Sequence, residues 1–111
     1  PMLVDFLFLD EPVIDEDSWK KTFGSSDGVE MLNDAIAALS TGLDWNHDSL
    51  KLCIEATGAA RGLKLGKAQA PIRVAVTGRT IGPPLFEALE LMGEAQVMKR
   101  LRAAAERLAS A

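Results

Sequence analysis

Apolar residues recur at three- and four-residue steps along most of this chain, and that spacing predicts helices. The opening run, Pro1 to Leu9, is too short to separate a helix from a buried strand; as a helix it turns Phe6, Phe8 and Leu9 inward, and Glu11-Pro12 ends it. A helix over about Glu16 to Phe23 follows, with Asp15, Glu16 and Asp17 at its start, where carboxylates meet the positive end of the helix dipole. Gly24-Ser25-Ser26 reads as a loop. Asp27-Gly28-Val29-Glu30 has the spacing of a capping box, in which Asp27 accepts from a first-turn amide and Glu30 reaches back. The helix it opens, about Gly28 to Ser40, lines up Met31, Leu32, Ala35, Ile36 and Leu39 as a core stripe, and Thr41-Gly42 stops it. Asn46 is the expected N-cap of a further helix, about His47 to Arg61, with Leu50, Cys53, Ile54 and Thr57 inward and Gly62 just past its end.

In the second half the pattern is less even. Ile72-Arg73-Val74-Ala75-Val76 alternates and is rich in β-branched residues, which on local grounds favours a strand. Pro71 also suits the first turn of a helix, which Thr77-Gly78 would stop. Gly82 and Pro83, the latter at the first helical position, open a helix with Leu85, Phe86, Leu89 and Met92 inward. Gly93 breaks the chain. The last helix, about Glu94 to Leu108, carries Val97, Met98, Leu101, Ala105 and Leu108 on one stripe, with Lys99, Arg100, Arg102 and Arg107 expected on its other faces.

Charge changes this picture. The chain has 111 residues and a net charge of -4. Residues 1–60 hold 12 acids and three bases, a net of -9; residues 61–111 hold nine bases and four acids, a net of +5. The stretch Arg61 to Phe86 carries Arg61, Lys64, Lys67, Arg73 and Arg79 and no acid, and it contains the stiff turn Gly82-Pro83-Pro84. A basic surface inside an acidic chain points to an anionic partner, nucleic acid first. The opposite reading is two solvated faces that attract each other across the fold. A small helical protein–protein module, docking through its acidic half, is the alternative function.

Length and composition set further bounds. One domain, or two small subdomains sharing a core, fits 111 residues. No apolar run approaches the roughly 18 residues of a membrane span, and the N-terminus has acids where a signal peptide has bases. The chain starts at Pro1 without an initiator Met, and the expectation is a piece of something longer. A single cysteine, Cys53, fits a reducing cytoplasm and reads as a small buried hydrophobe on its helix. The expectation is a cytoplasmic monomer with no membrane association.

Catalytic and metal signatures are missing. Gly58 to Lys64 comes near a phosphate-binding loop but places Leu63 where the motif needs Lys. There is no H-E-x-x-H and no C-x-x-C. His47 is the one histidine, lies among polar residues at a helix start, and has no Cys or His within ligand spacing. It is also the one His that could serve Ser49 as a base, and nothing else there marks a nucleophile. No catalytic residue, no metal ligand and no cofactor is expected in this chain.

Residues Gly62 to Gly93, GLKLGKAQAPIRVAVTGRTIGPPLFEALELMG, resemble the C-terminal signature of the bacterial glutamyl-tRNA synthetases, which are class I aminoacyl-tRNA synthetases. Leu43-Asp44-Trp45 and the opening PMLVDFLF fit the same family, so the resemblance spans essentially the whole chain. It implies an all-α, compact multi-helix bundle of the class I anticodon-binding type over residues 1–111, with an acidic helical part (1–60) and a basic part (61–111) holding the anticodon-contacting loop. It implies a helix over Lys67 to Thr77 in place of the strand. Neither of the family's nucleotide-binding signatures is present: His47 is followed by Asp48-Ser49-Leu50, and Lys64-Leu65-Gly66-Lys67 is not the lysine loop. ATP with Mg is then used by a catalytic domain outside this chain, and the partners are that N-terminal catalytic domain and the anticodon stem-loop of tRNA(Glu).

By the same resemblance, the anticodon is gripped at Arg73, Gly82, Pro83 and Leu85. Arg73 offers a planar fork to a base edge or phosphate, the Pro-stiffened loop presents backbone groups at little ordering cost, and Pro83 and Leu85 offer apolar surface to a base. The family commonly has Ser or Thr where Gly82 stands, so a contact from Gly82 must come from its backbone. Arg61, Lys64, Lys67 and Arg79 are the candidates for the phosphate backbone.

Overall fold

The computed structural model describes residues 14–80 and 84–110, in which the chain forms six α-helices and no strand. They are α1 Glu16–Phe23, α2 Ser26–Leu39, α3 His47–Ala60, α4 Leu65–Thr77, α5 Leu85–Met92 and α6 Glu94–Ser110. The fold is all-α. The expectations for Pro1 to Leu9 and for Gly82 and Pro83 lie outside the described residues, but α5 begins at Leu85 with Pro84 at its N-cap, later than the expected start.

Helix α4 is the central element, packed on α1, α2, α3 and α6. That position corrects the local strand reading of 72–76. Ile72, Val74, Ala75, Val76 and Thr77 are all buried, so the segment is apolar on most of its circumference, and over five residues an all-round apolar helix looks like an alternating strand. Pro71 falls in the helix interior. It has no N–H, so the carbonyl of Lys67 lacks its usual donor four residues on. Gly78 closes the helix at φ 80°, in the left-handed region that glycine adopts without strain, and its N–H returns to the Val74 carbonyl at 2.8 Å.

The core joins Met31, Leu32, Ala35 and Leu39 of α2 to Leu50 and Ile54 of α3, to the buried face of α4, and to Val97 and Leu101 of α6. Two helices cross closely where α3 meets α4. A Cβ built on Gly58 would stand 2.4 Å from the Ala68 Cβ, so only glycine permits this approach. Asn46 caps α3 as its side chain accepts from the Ser49 amide at 2.9 Å. Asp15 caps α1, accepting from the Ser18 amide at 3.1 Å. The Ser18 hydroxyl donates to the same carboxylate at 2.5 Å, and these two hydrogen bonds, more than the nearby Arg79, hold the Asp15 carboxyl below its ordinary value.

Three local expectations change. Helix α2 begins one residue before Asp27, with Ser25 in the N-cap position and no side-chain cap, and Glu30 pairs with Arg61 at 3.1 Å instead of reaching back. Arg100 does not lie on a solvent face. It is 1% exposed, and its guanidinium donates to the Val76 carbonyl at 2.7 Å. Position 100 falls three residues after Val97 and four before Ala104, on the buried stripe of α6 itself. Cys53 is half-buried, packed against the core, and burial raises its thiol pKa.

Candidate nucleic-acid interface

The basic stretch folds into the end of α3, a short turn, α4 and the bend that follows α4. Helix α4 fixes the direction of its cations because its other faces are locked in the core. Arg73 is half-buried on it, and burial pulls its guanidinium pKa down from the ordinary value. Arginine stays charged even so. Lys64 and Lys67 are exposed at the start of the helix. Lys67, Ala70 and Arg73 follow at three-residue steps, which carries the basic surface around α4 toward the bend.

The bend is anchored where it leaves α4. The Asp15 amide donates to the Gly78 carbonyl at 2.8 Å, tying the N-cap of α1 to the C-cap of α4. The Thr77 hydroxyl lies 2.8 Å from the Arg73 carbonyl, to which it donates, and accepts from the Arg79 amide at 3.3 Å. Arg79 is exposed just beyond. On the far side, Pro84 takes the N-cap position of α5 and supplies no side-chain cap. The first-turn amides of α5, including that of Leu85, have no acceptor within their helix.

Helix α5 is held from α3. Trp45 Nε1 donates to the Leu89 carbonyl at 2.7 Å, and His47 Nδ1 lies 3.0 Å from a Glu90 carboxylate oxygen. The hydrogen bond to Glu90, and then the charge of Asp48, raise the His47 pKa. Sequence reading placed His47 on the surface, where it is, but did not find its partner.

Not every expected contact residue presents itself in the same way. Leu85 is 2% exposed and belongs to the core, so its side chain supports the bend instead of offering apolar surface to a base. Arg61 bonds Asp34 and Glu30 of α2, and Asp34 raises its pKa further. A phosphate contact from Arg61 therefore competes with two carboxylates of its own chain. Among the described residues, Lys64 and Lys67 take part in no ion pair. Gly58, in the stretch that comes near a phosphate-binding loop, lies inside α3 against Ala68, so these residues do not fit an ATP site. Among the described residues, no group of three His, Cys, Asp or Glu is placed to hold a metal ion, and no helix is long and apolar enough to cross a membrane.

This arrangement, exposed cations along one helix that leads into a bend with a further exposed arginine, suits a single-stranded or looped nucleic acid. The comparison with known proteins agrees. The family model described as "Anticodon binding domain" matches residues 1–105. The chain belongs to that family. Among relatives of the anticodon-binding domain, the glutamate–tRNA ligase of Thermobifida fusca (strain YX) is 58% identical over 109 residues, which is 97% of this chain and 23% of that protein. The glutamate–tRNA ligase of Salinispora tropica is 55% identical over 105 residues, 95% of this chain and 22% of that protein. The anticodon-binding domain thus spans under a quarter of the length of these relatives. A crystal structure of a glutamate tRNA ligase from Elizabethkingia meningosepticum, in complex with its amino acid, superposes with a TM-score of 0.84 at 28% identity, over 95% of this chain and 20% of that one.

Proposed function

We propose that this chain is the anticodon-binding part of a glutamate–tRNA ligase, a cytoplasmic enzyme that attaches L-glutamate to tRNA(Glu) in a two-step, ATP-dependent reaction carried out by another part of the same protein. ATP and Mg belong to that part. The chain's own work is to bind the anticodon stem-loop and so place the tRNA for a distant active site. The observation that carries this reading is the exposed basic face of α4, with its C-terminal end tied at Gly78 to the start of α1, on a chain related along its length to glutamate–tRNA ligases.

Anticodon bases are single-stranded and can be splayed out and read on their edges. Arg73 is the proposed base or phosphate contact, and Gly82, Pro83 and Leu85 are proposed as further anticodon contacts, through backbone groups at Gly82 and Leu85. Because the Leu85 side chain is buried, its proposed contribution is its amide at the uncapped start of α5. Lys64, Lys67 and Arg79 are proposed for the phosphate backbone, with Arg61 a weaker candidate because Asp34 and Glu30 already hold it.

The test is Arg73→Ala in the full ligase. Losing one bidentate contact of about 1–3 kcal/mol predicts a fall of roughly 5- to 150-fold in kcat/KM for tRNA. The melting temperature of the variant should stay near that of the parent. Unchanged charging would remove Arg73 from the reading surface.

A further inference from the structure

A cavity of about 340 Å³ lies between the α1–α2 turn and the first half of α4. That is within the size range of sites that take small ligands, about 300–1,000 Å³. Lys67 lines it from α4, and so does Lys21 from the last turn of α1. Thr22 and Thr80 bring hydroxyl groups, and Leu63 and Pro71 bring apolar surface. Asp27 also lines it, so among the described residues two lysines and one aspartate leave a local charge of +1.

Three placements link this cavity to the RNA surface. Lys67 belongs to both. Ala70, another lining residue, stands between Lys67 and Arg73 at three-residue steps on α4. Thr80 follows Arg79 directly on the bend. Lys21 is exposed and, among the described residues, takes part in no ion pair. Two lysines without carboxylate partners, apolar surface and hydroxyl groups beside a single-stranded RNA path form a site with one phosphate's worth of positive charge and room for a base.

We propose that this cavity is a subsite for one unstacked nucleotide of the bound RNA, with its phosphate between the Lys21 and Lys67 ammonium groups. The inference rests on the reading of the chain as an anticodon-binding part, and it extends the contact surface across α4 to α1, in the acidic half of the sequence.

The experiment is a titration of the 111-residue chain, whose helices share one core, with the anticodon stem-loop of a glutamate tRNA between 50 and 200 mM salt. Wild type, Lys21→Ala, Lys21→Arg and Arg73→Ala are compared. Lys21→Ala should weaken binding roughly three-fold and lower the slope of log K against log salt by about 0.7, the loss of one single-strand phosphate contact. Lys21→Arg should keep both, and the Ala70 and Thr80 methyl signals should shift on RNA addition in wild type. If Arg73→Ala weakens binding while Lys21→Ala leaves affinity and slope unchanged, the subsite is overturned and the anticodon reading stands. Weaker binding by Lys21→Ala at an unchanged slope also overturns it, since no phosphate contact was lost. Absence of binding by the wild-type chain overturns both.

Discussion

Arg73 and Arg100 show how differently one residue type is used here. Both lie on helices of the core, and burial lowers the pKa of both. Arg100 sits inside, 1% exposed, with its guanidinium on the Val76 carbonyl of α4. Arg73 sits half-buried at the edge of α4, where part of the side chain is supported and part meets solvent. A residue so held gives up less freedom on binding than a fully mobile one. The sequence told these two apart poorly. Arg100 looked like a solvent cation because charge outweighed position, although its spacing from Val97 and Ala104 put it on the core stripe. Arg61 looked like a phosphate contact because its partners, Asp34 and Glu30, are 27 and 31 residues away. His47 carries a pH prediction. Its pKa is raised in the folded chain by Glu90 and Asp48, so its stabilising contribution is complete below the unfolded value of about 6.5. That contribution is lost as pH rises through the folded pKa. The urea midpoint of wild type minus that of Glu90→Gln should shrink across that interval; a difference independent of pH would disprove the linkage.

At the scale of elements, the decisive contact is the crossing of α3 and α4 at Gly58 and Ala68. It sets the direction of the helix that bears Lys67 and Arg73. Gly58→Ala gains about 1 kcal/mol of helix propensity. It also forces a Cβ into the 2.4 Å space beside Ala68, and such overpacking costs about 1–3 kcal/mol. The expected outcome is a lower denaturation midpoint, restored by adding Ala68→Gly; a stabilised single variant would show that the helices can separate freely. The helices themselves were legible. Five of the six follow directly from apolar spacing and turn residues, and Asn46 was recognisable as a cap. Helix α4 was not legible locally, because a helix buried on most sides loses the polar face that reveals its period. Family resemblance supplied it. The capping box at Asp27 failed for a different reason: the helix starts at Ser26, which puts Asp27 inside the first turn, and Glu30 pairs with Arg61.

For the whole molecule, the split between an acidic first half and a basic second half is partly internal. Arg61 joins Glu30 and Asp34, and Arg107 joins Glu16 at 2.6 Å while its guanidinium lies 4.2 Å over the Trp19 ring. These pairs partly neutralise two of the second half's cations. What remains outward on α4 and the bend is Lys64, Lys67 and Arg79, with Arg73 beside them. Sequence charge therefore marked the right region but overcounted its cations. Binding through a few phosphates should fall steeply with salt, whereas an apolar docking surface should respond weakly. An NMR titration of the chain with the anticodon stem-loop of a glutamate tRNA at low and moderate salt is the direct test of RNA binding at this surface. Salt-sensitive amide shifts should concentrate at residues 64–73, 79–80 and 85–86. Shifts confined to the acidic face of α2 and α3, or none at high RNA concentration, would contradict it.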